Sequence, residues 1–262
     1  MMIMINKFVK VVLLSLVVLG FLASCASKKD LVYFQDALNY ETIVSDNTAN
    51  NKFKINDILG ITVSTLDAEA SVPFNIFRGV QEGGRGGGLG EQLDYIIDKN
   101  GEIDFPVIGT IEVAGLTTQE VKELLIKELA SYLKNPIINI RLQNFRVTVL
   151  GEVNRPGTYA VNGEQITVLE AIGLAGDLGI KGMRDNVLVI RDFNGAKVYN
   201  RLDLTSKDVL SSPNYYLTQN DVIYVEPNKS AITASALDNR ATIAISIASV
   251  LITSTVILIT RN

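Results

Sequence analysis

The stretch from 144 to 178, NFRVTVLGEVNRPGTYAVNGEQITVLEAIGLAGDL, decides the fold. Val147, Val149 and Val153 punctuate a run rich in β-branched side chains with the period of a half-buried strand. Asn154-Arg155-Pro156-Gly157 then predicts a turn. Proline holds φ at about −65° and glycine accepts the positive φ that a type II turn needs next. A second strand returns over 158–161. Beyond Asn162-Gly163, the run Thr167-Val168-Leu169-Glu170 has capping-box form, with a hydroxyl and a carboxylate available for the free N–H groups of a helix start. Leu169, Ile172, Leu174 and Ala175 give that helix an apolar face, and Gly176 can end it.

A hairpin followed by a helix that must pack on it opens a β-grasp unit. The ordered string 149–159, with Leu169-Glu170-Ala171 and Ala175-Gly176 after it, closely resembles the soluble-ligand-binding β-grasp (SLBB) domain of Wza-like outer-membrane polysaccharide export lipoproteins. Gly151, Pro156 and Gly157 are the motif positions that the resemblance marks.

Upstream, 53–63 alternates like a strand and resembles the family's entry motif, a glycine-aspartate turn before an extended run. Asn56 stands in the glycine's place, and asparagine also tolerates left-handed geometry. The glycine-rich insertion 79–90 fits neither phosphate-binding pattern and reads as a flexible loop. Segment 93–113 predicts two strands around the turn Asp98-Lys99-Asn100-Gly101. Thr117 to Glu120 offers a second capping box. Val121, Leu124, Leu125, Leu129, Tyr132 and Leu133 continue it as an amphipathic helix stopping before Asn135-Pro136, and 137–142 follows as a strand. This order resembles the polysaccharide-export domain nearly motif by motif. Asp98, Glu102 and Asp104 could be read as a sugar-hydrolysing carboxylate set, but nothing nearby supplies an apolar pocket to split their pKa values. They read as a solvated turn.

Downstream, 186–191 and 197–202 read as strands, and 215–225 closes the domain, with Gln219-Asn220-Asp221 replacing the family's proline-glycine-aspartate turn. Long family members carry two β-grasp units; here there is room for one. Residues 241–260 then run without a charge, long enough as a helix to cross a hydrocarbon core of about 30 Å. Thr242, Ser246, Ser249, Thr253 and Thr260 fall on one side of it, interrupted by Val256. The stripe alone leaves two readings level: a pore wall built from many copies, or a single anchor whose hydroxyls bond to carbonyls one turn back.

At the other end, Lys7 and Lys10 precede an apolar run, 11–22, too short to span a bilayer but suited to a secretory signal. It ends at Leu22-Ala23-Ser24-Cys25, a bacterial lipobox. The resemblance implies cleavage before Cys25, diacylglycerol on its sulfur and an acyl group on its new amine, which is stable anchoring. Ala26-Ser27 resembles the signal for release to the outer membrane, and Lys28-Lys29 favours the periplasmic leaflet. A lipid at Cys25 makes a second mere anchor redundant, so the pore reading is preferred for 241–260.

Composition narrows the function classes. The 262 residues are 47% hydrophobic and 20% charged, ordinary for folded domains with added apolar segments. Net charge is −4, and loss of Lys7 and Lys10 with the signal makes the mature chain more negative still, which argues against a nucleic-acid binder. There is no histidine and one cysteine, so the commonest general base and metal ligand and any intrachain disulfide are absent.

The sequence thus predicts an α+β chain: signal peptide 1–24, lipidated tether 25–51, export domain 52–143, SLBB β-grasp domain 144–228 and a membrane-spanning C-terminal helix within 229–262. The resemblance implies a non-enzymatic subunit, without cofactor or metal, of a ring-shaped homo-oligomer, eight copies in the best-known members. Such a ring passes capsular or extracellular polysaccharide through the outer membrane. Its implied partners are the polysaccharide, outer-membrane lipids and an inner-membrane co-polymerase or chain-length regulator, often with a tyrosine-kinase part. The alternatives are a periplasmic lipoprotein that holds a glycan without forming a channel, and a glycan hydrolase using the acidic turn residues.

Overall fold

A computed structural model describes residues 31–43, 51–78, 90–193 and 195–236, together with the helical residues 243, 245–247, 249–250, 252–254 and 256–257. Leu22, Ala23, Ser24 and Cys25, most of the glycine-rich insertion, and Thr242 and Thr260 lie outside the described residues.

The strand expected at 53–63 begins only at Ile58, because a turn occupies its first residues. Asp57 N–H donates to Lys54 O at 3.0 Å, and Asn56 adopts φ +70°, the left-handed geometry foreseen for it. The chain continues as β1 (Ile58–Ser64), α1 (Ala68–Ser71), β2 (Phe77–Arg78), β3 (Glu91–Gln92) and β4 (Tyr95–Ile96). The turn at Asp98 forms as expected, with Gly101 at φ +87° and Asp98 Oδ1 accepting from Asn100 N–H and Glu102 N–H, each at 2.9 Å. A second reversal was not foreseen. β5 (Glu102–Phe105) and β6 (Gly109–Glu112) form a tight hairpin at 106–108, for which Pro106 and Gly109 were the available signals. At its tip Val107 takes φ +70°, a strained geometry for a β-branched residue that costs about 1–3 kcal/mol.

Helix α2 (Thr118–Leu129) carries the expected capping box: Glu120 N–H donates to the Thr117 hydroxyl, and Glu120 accepts from Thr117 N–H at 2.7 Å. The helix ends sooner than its apolar spacing suggested. Leu133 is reached by one further turn, and Tyr132 is 56% exposed rather than part of the buried face. β7 (Ile137–Leu142) follows, and the sheet order is β4-β1-β7, antiparallel throughout. Val121, Leu125 and Leu129 pack on it with Leu59, Ile61, Val63, Ile138 and Ile140. Residues spaced three and four apart on the helix meet alternate residues of the strands, which is why both patterns were legible.

The second core is built on β8 (Arg146–Gly151), β9 (Gly157–Ala160), β10 (Ile166–Thr167), α3 (Val168–Leu174), β11 (Gly182–Phe193), β12 (Ala196–Leu202), β13 (Tyr216–Leu217) and β14 (Val222–Pro227). Five strands form one sheet in the order β12-β11-β14-β8-β9, in which β8 and β14 run parallel and the other pairs antiparallel. β11 is longer than the strand expected at 186–191, and its register shifts between Gly182 and Val187. The run expected to close the domain divides into β13, paired with β10, and β14, with a turn between. α3 is capped by Thr167 and Glu170 as expected and buries Val168, Ala171 and Ile172, whereas Leu174, assigned to its apolar face, is 41% exposed.

α4 (Lys229–Ala236) leaves β14. Among the described residues no helix is long and apolar enough to cross a membrane, so the spanning helix expected at 241–260, several of whose residues lie outside the described ones, is not supported. Its described residues are helical, and Ile243, Ile245, Ile247, Val250, Ile252 and Ile257 are all exposed.

Candidate functional site

The motif that decided the fold turns out to be a clasp. Gly151, not Gly157, takes the positive φ, at +89°, and a Cβ there would lie 2.1 Å from Val225 O; Gly157 is already the first residue of β9. Seven residues therefore separate the paired Val149 and Gly157, too many for the four-residue turn expected from Asn154 to Gly157. These residues close over the end of α3. Asn154 N–H donates to Asp177 O at 3.1 Å, Arg155 N–H to Ala175 O at 2.8 Å, Asn154 Nδ2 to Gly176 O at 2.6 Å and Arg155 Nη2 to Leu174 O at 3.1 Å. They satisfy the carbonyls that a helix C-terminus leaves without partners. Pro156 lets the chain turn back where no N–H is required, and the Tyr159 hydroxyl donates to Arg155 O.

Gln219-Asn220-Asp221, which replaces the family's turn residues, itself forms a tight turn. Asn220 takes φ +66°, and Asp221 N–H donates to Thr218 O at 3.1 Å. Asp221 is fully buried and accepts from Thr218 N–H at 2.8 Å, the Thr218 hydroxyl at 3.0 Å and the Arg191 guanidinium at 2.7–3.1 Å. Arg191 Nη2 also donates to Tyr216 O at 2.8 Å, so one charge pair joins β11, β13 and the mouth of β14. The same device precedes β1: Asp57, 3% exposed, accepts from Lys54 N–H at 2.8 Å. Burial raises the pKa of Asp57 against that hydrogen bond. Sequence reading foresaw the left-handed geometry of Asn56 but not that of Asn220, and it missed Arg191, whose only signal was a cation ending an apolar strand.

Asn144 joins the two halves. Its Oδ1 accepts from Ile58 N–H at 3.0 Å, its Nδ2 donates to Asn56 O at 3.1 Å, and its carbonyl accepts from Gln219 Nε2 at 2.6 Å. Gln219 Oε1 in turn accepts from Arg146 N–H at 2.7 Å. The two Asn-Asp turns are thereby bound to one residue, the first by its side chain and the second by its main-chain carbonyl, and Leu142 packs against both cores.

Beside this junction lies a polar cleft of about 320 Å³ between the start of α2, the middle of β7 and Glu164-Gln165. Thr118, Lys122, Asn139 and Gln165 line it with side chains that make no hydrogen bond among the described residues, and the buried Asn51 Oδ1 has no donor there. Such a lining of amides, hydroxyls and an ammonium can hold a polyhydroxylated chain by hydrogen bonds. Asp98 and Asp104, weighed as acid–base groups, are used locally, Asp98 by its own turn and Asp104 by the Thr110 hydroxyl at 3.1 Å. Among the described residues no three His, Cys, Asp or Glu side chains converge as a metal set would require.

Residues 31–43, expected as part of a tether, lie along the second domain. Phe34 N–H donates to Leu204 O at 3.2 Å and Gln35 N–H to Thr205 O at 2.6 Å. Asp36 accepts from the Ser206 hydroxyl and Lys207 N–H, each at 2.7 Å, and Glu41 pairs with Lys207 at 2.5 Å. Tyr33 donates to Asp177 at 2.5 Å, with the guanidinium of Arg184 5.4 Å from the centre of its ring. Burial, and then the hydrogen bond to Asp177, push the Tyr33 phenol up.

Of the hydroxyl stripe, Ser246, Ser249 and Thr253 are described and exposed. Ser249 donates to Ser246 O and Thr253 to Ser249 O, each at 2.7 Å, the carbonyl bonds expected of an anchor helix.

Comparison with known proteins agrees with this arrangement. Residues 45–143 match the polysaccharide biosynthesis/export protein family, and 145–225 match the SLBB domain. The chain is 27% identical to the EPS I polysaccharide export outer membrane protein EpsA of Ralstonia solanacearum over 52% of its own length and 37% of that protein's. It is 29% identical to EpsA of Ralstonia nicotianae over 55% and 39%, and 32% identical to the exopolysaccharide production protein ExoF of Rhizobium meliloti over 32% and 21%. The matched region thus spans well under half of these curated relatives. With an export domain and an SLBB domain in this order and clasped by Asn144, the chain belongs to the Wza-like polysaccharide export family.

Proposed function

We propose that this protein is a subunit of an outer-membrane conduit that carries capsular or extracellular polysaccharide from the periplasm to the cell surface. It acts by position and assembly, not by chemistry. The observation that carries the reading is the ordered pair of domains, export then SLBB, tied into one body through Asn144 and Gln219. The naming of EpsA as a polysaccharide export outer membrane protein supports it. In the full reading, Cys25 bears the lipid, copies of the chain form a ring, the segment 241–260 enters the outer membrane, and an inner-membrane chain-length regulator delivers the glycan.

The exposed isoleucines and valine between 243 and 257 support a place in lipid for that segment. The carbonyl bonds of Ser249 and Thr253 favour a second reading of it, as an anchor without a pore. Cysteine at Ser249 or Thr253 in the lipidated protein separates the two. Reaction with a membrane-impermeant thiol reagent, with Ile247→Cys shielded, supports the pore, whereas equal silence on both faces during normal export supports the anchor. The export reading itself is tested by deleting the gene and restoring it. Loss of surface polysaccharide with accumulation inside the cell, reversed by the intact gene, is expected; unchanged surface polysaccharide refutes it.

A further inference from the structure

Two surfaces of the export domain are incomplete in a single chain. The first is the β5–β6 hairpin. Ile103, Phe105 and Ile111 face its core, so alternation turns Glu102, Asp104 and Glu112 outward. Glu102 lies directly across from Glu112, a like-charge pair that destabilises a ladder unless a cation answers it. None of the three carboxylates has an ion pair among the described residues, and beyond them the tip presents Val107, 54% exposed in its strained conformation.

The second is a groove of about 600 Å³ between the end of α2 and the start of β7, lined by Ile126, Ala130, Leu133, Pro136 and Ile137. Ile126 is 37% and Ile137 66% exposed. Lys134 stands in its wall, and Lys122 shares the four-residue ridge of Ile126 and Ala130. Neither lysine has an ion pair among the described residues; of the helix's nearby acids, Glu123 accepts from Gln119 at 2.6 Å and Glu128 lies on another ridge.

These surfaces complement one another: an apolar tip flanked by carboxylates, and an apolar groove flanked by ammonium groups. The sheet order keeps them apart, since β5 follows and touches β4 at one edge while α2 packs on β7 at the other. One chain cannot bring its own hairpin to its own groove. We propose that the β5–β6 hairpin of one copy seats Val107 in the Ile126–Ile137 groove of the next, with Glu112 and its neighbours against Lys122 and Lys134. Because donor and acceptor are different surfaces, the contact is head-to-tail and repeats, closing a ring if the rotation allows. The inference rests on the assembly part of the reading above and names the surface that assembly uses.

The test uses the full chain in its native membrane, with Val107→Cys and Ile137→Cys made singly and together, followed by mild oxidation and denaturing electrophoresis. The double variant is expected to give a ladder of dimers, trimers and larger species, and each single variant to remain unlinked. Glu112→Lys or Lys134→Glu added to the double variant should each abolish the ladder, and both together should restore it. That restoration excludes misfolding as the cause of the loss. Absence of a ladder while native electrophoresis still shows an oligomer overturns this interface and leaves the assembly reading standing. A monomer overturns both. Dimers alone, or dimers from a single variant, indicate a symmetric contact and also overturn the proposal.

Discussion

Replacing Asp221 by alanine should be among the most damaging single changes to the second domain. The carboxylate is fully buried and accepts three short contacts from Arg191 and two bonds from Thr218, so its removal leaves a guanidinium that is only 17% exposed without a counter-charge. Breaking a buried pair from one side costs about 3–5 kcal/mol, most of it the cost of the abandoned charge. The orphaned Thr218 N–H adds about 1 kcal/mol. Asp221→Ala should therefore cost about 4 kcal/mol or more. Arg191→Met should cost a comparable amount, because the fully buried Asp221 carboxylate then loses its cation and keeps only the two bonds from Thr218. The double variant Arg191→Met/Asp221→Ala should be more stable than Asp221→Ala alone, as no buried cation is then left unanswered. Urea unfolding of the full chain in mild detergent, followed by circular dichroism, measures all three. If the single effects simply add, or if Asp221→Ala costs under about 1 kcal/mol, the pair is not the clamp described.

Three further outcomes are expected. Gly151→Ala should destabilise by about 2 kcal/mol or more, since the new Cβ meets Val225 O at 2.1 Å in a backbone region closed to L-residues, and its thermal midpoint should fall accordingly. Asn144→Ala should cost about 1–3 kcal/mol and open the junction, read as new proteolytic cleavage between 142 and 146. Residues 31–43 should detach in acid: hydrogen bonds from Ser206 and from Lys207 hold the Asp36 and Glu41 pKa values below the ordinary carboxylate range, so their contribution is complete above pH of about 4.5 and is lost as pH falls through the lowered values. Lys207, raised by Glu41, keeps its share up to high pH. Hydrogen exchange at Phe34 and Gln35 should rise on acidification, and equal protection at both pH values would count against this coupling.

What the sequence determined by itself was local and periodic. Thr117–Glu120 and Thr167–Glu170 were legible as capping boxes because each is complete within four residues. Asn56 was legible as a turn former because left-handed geometry is a property of the residue. The alternation of β1, β7 and β8 identified strands, and the ordered motifs identified the family. What the tertiary structure decided depends on pairs distant in the chain. The Asn154-Arg155 segment was read as a free turn, and only the end of α3 twenty residues on makes it a helix cap. Positive φ went to Gly151 rather than Gly157 because Val225, on a parallel strand seventy-odd residues away, leaves no room for a side chain there. Arg191 and Asp221 carry no mutual signal until β11 and β14 are paired, and the segment 31–43, expected as part of a tether, is held by Tyr33 and Phe34 against the second core and by hydrogen-bonding groups of 204–207. Periodicity reports which face of an element meets apolar company, whereas the identity of a polar partner is set by register and topology, which no local spacing encodes.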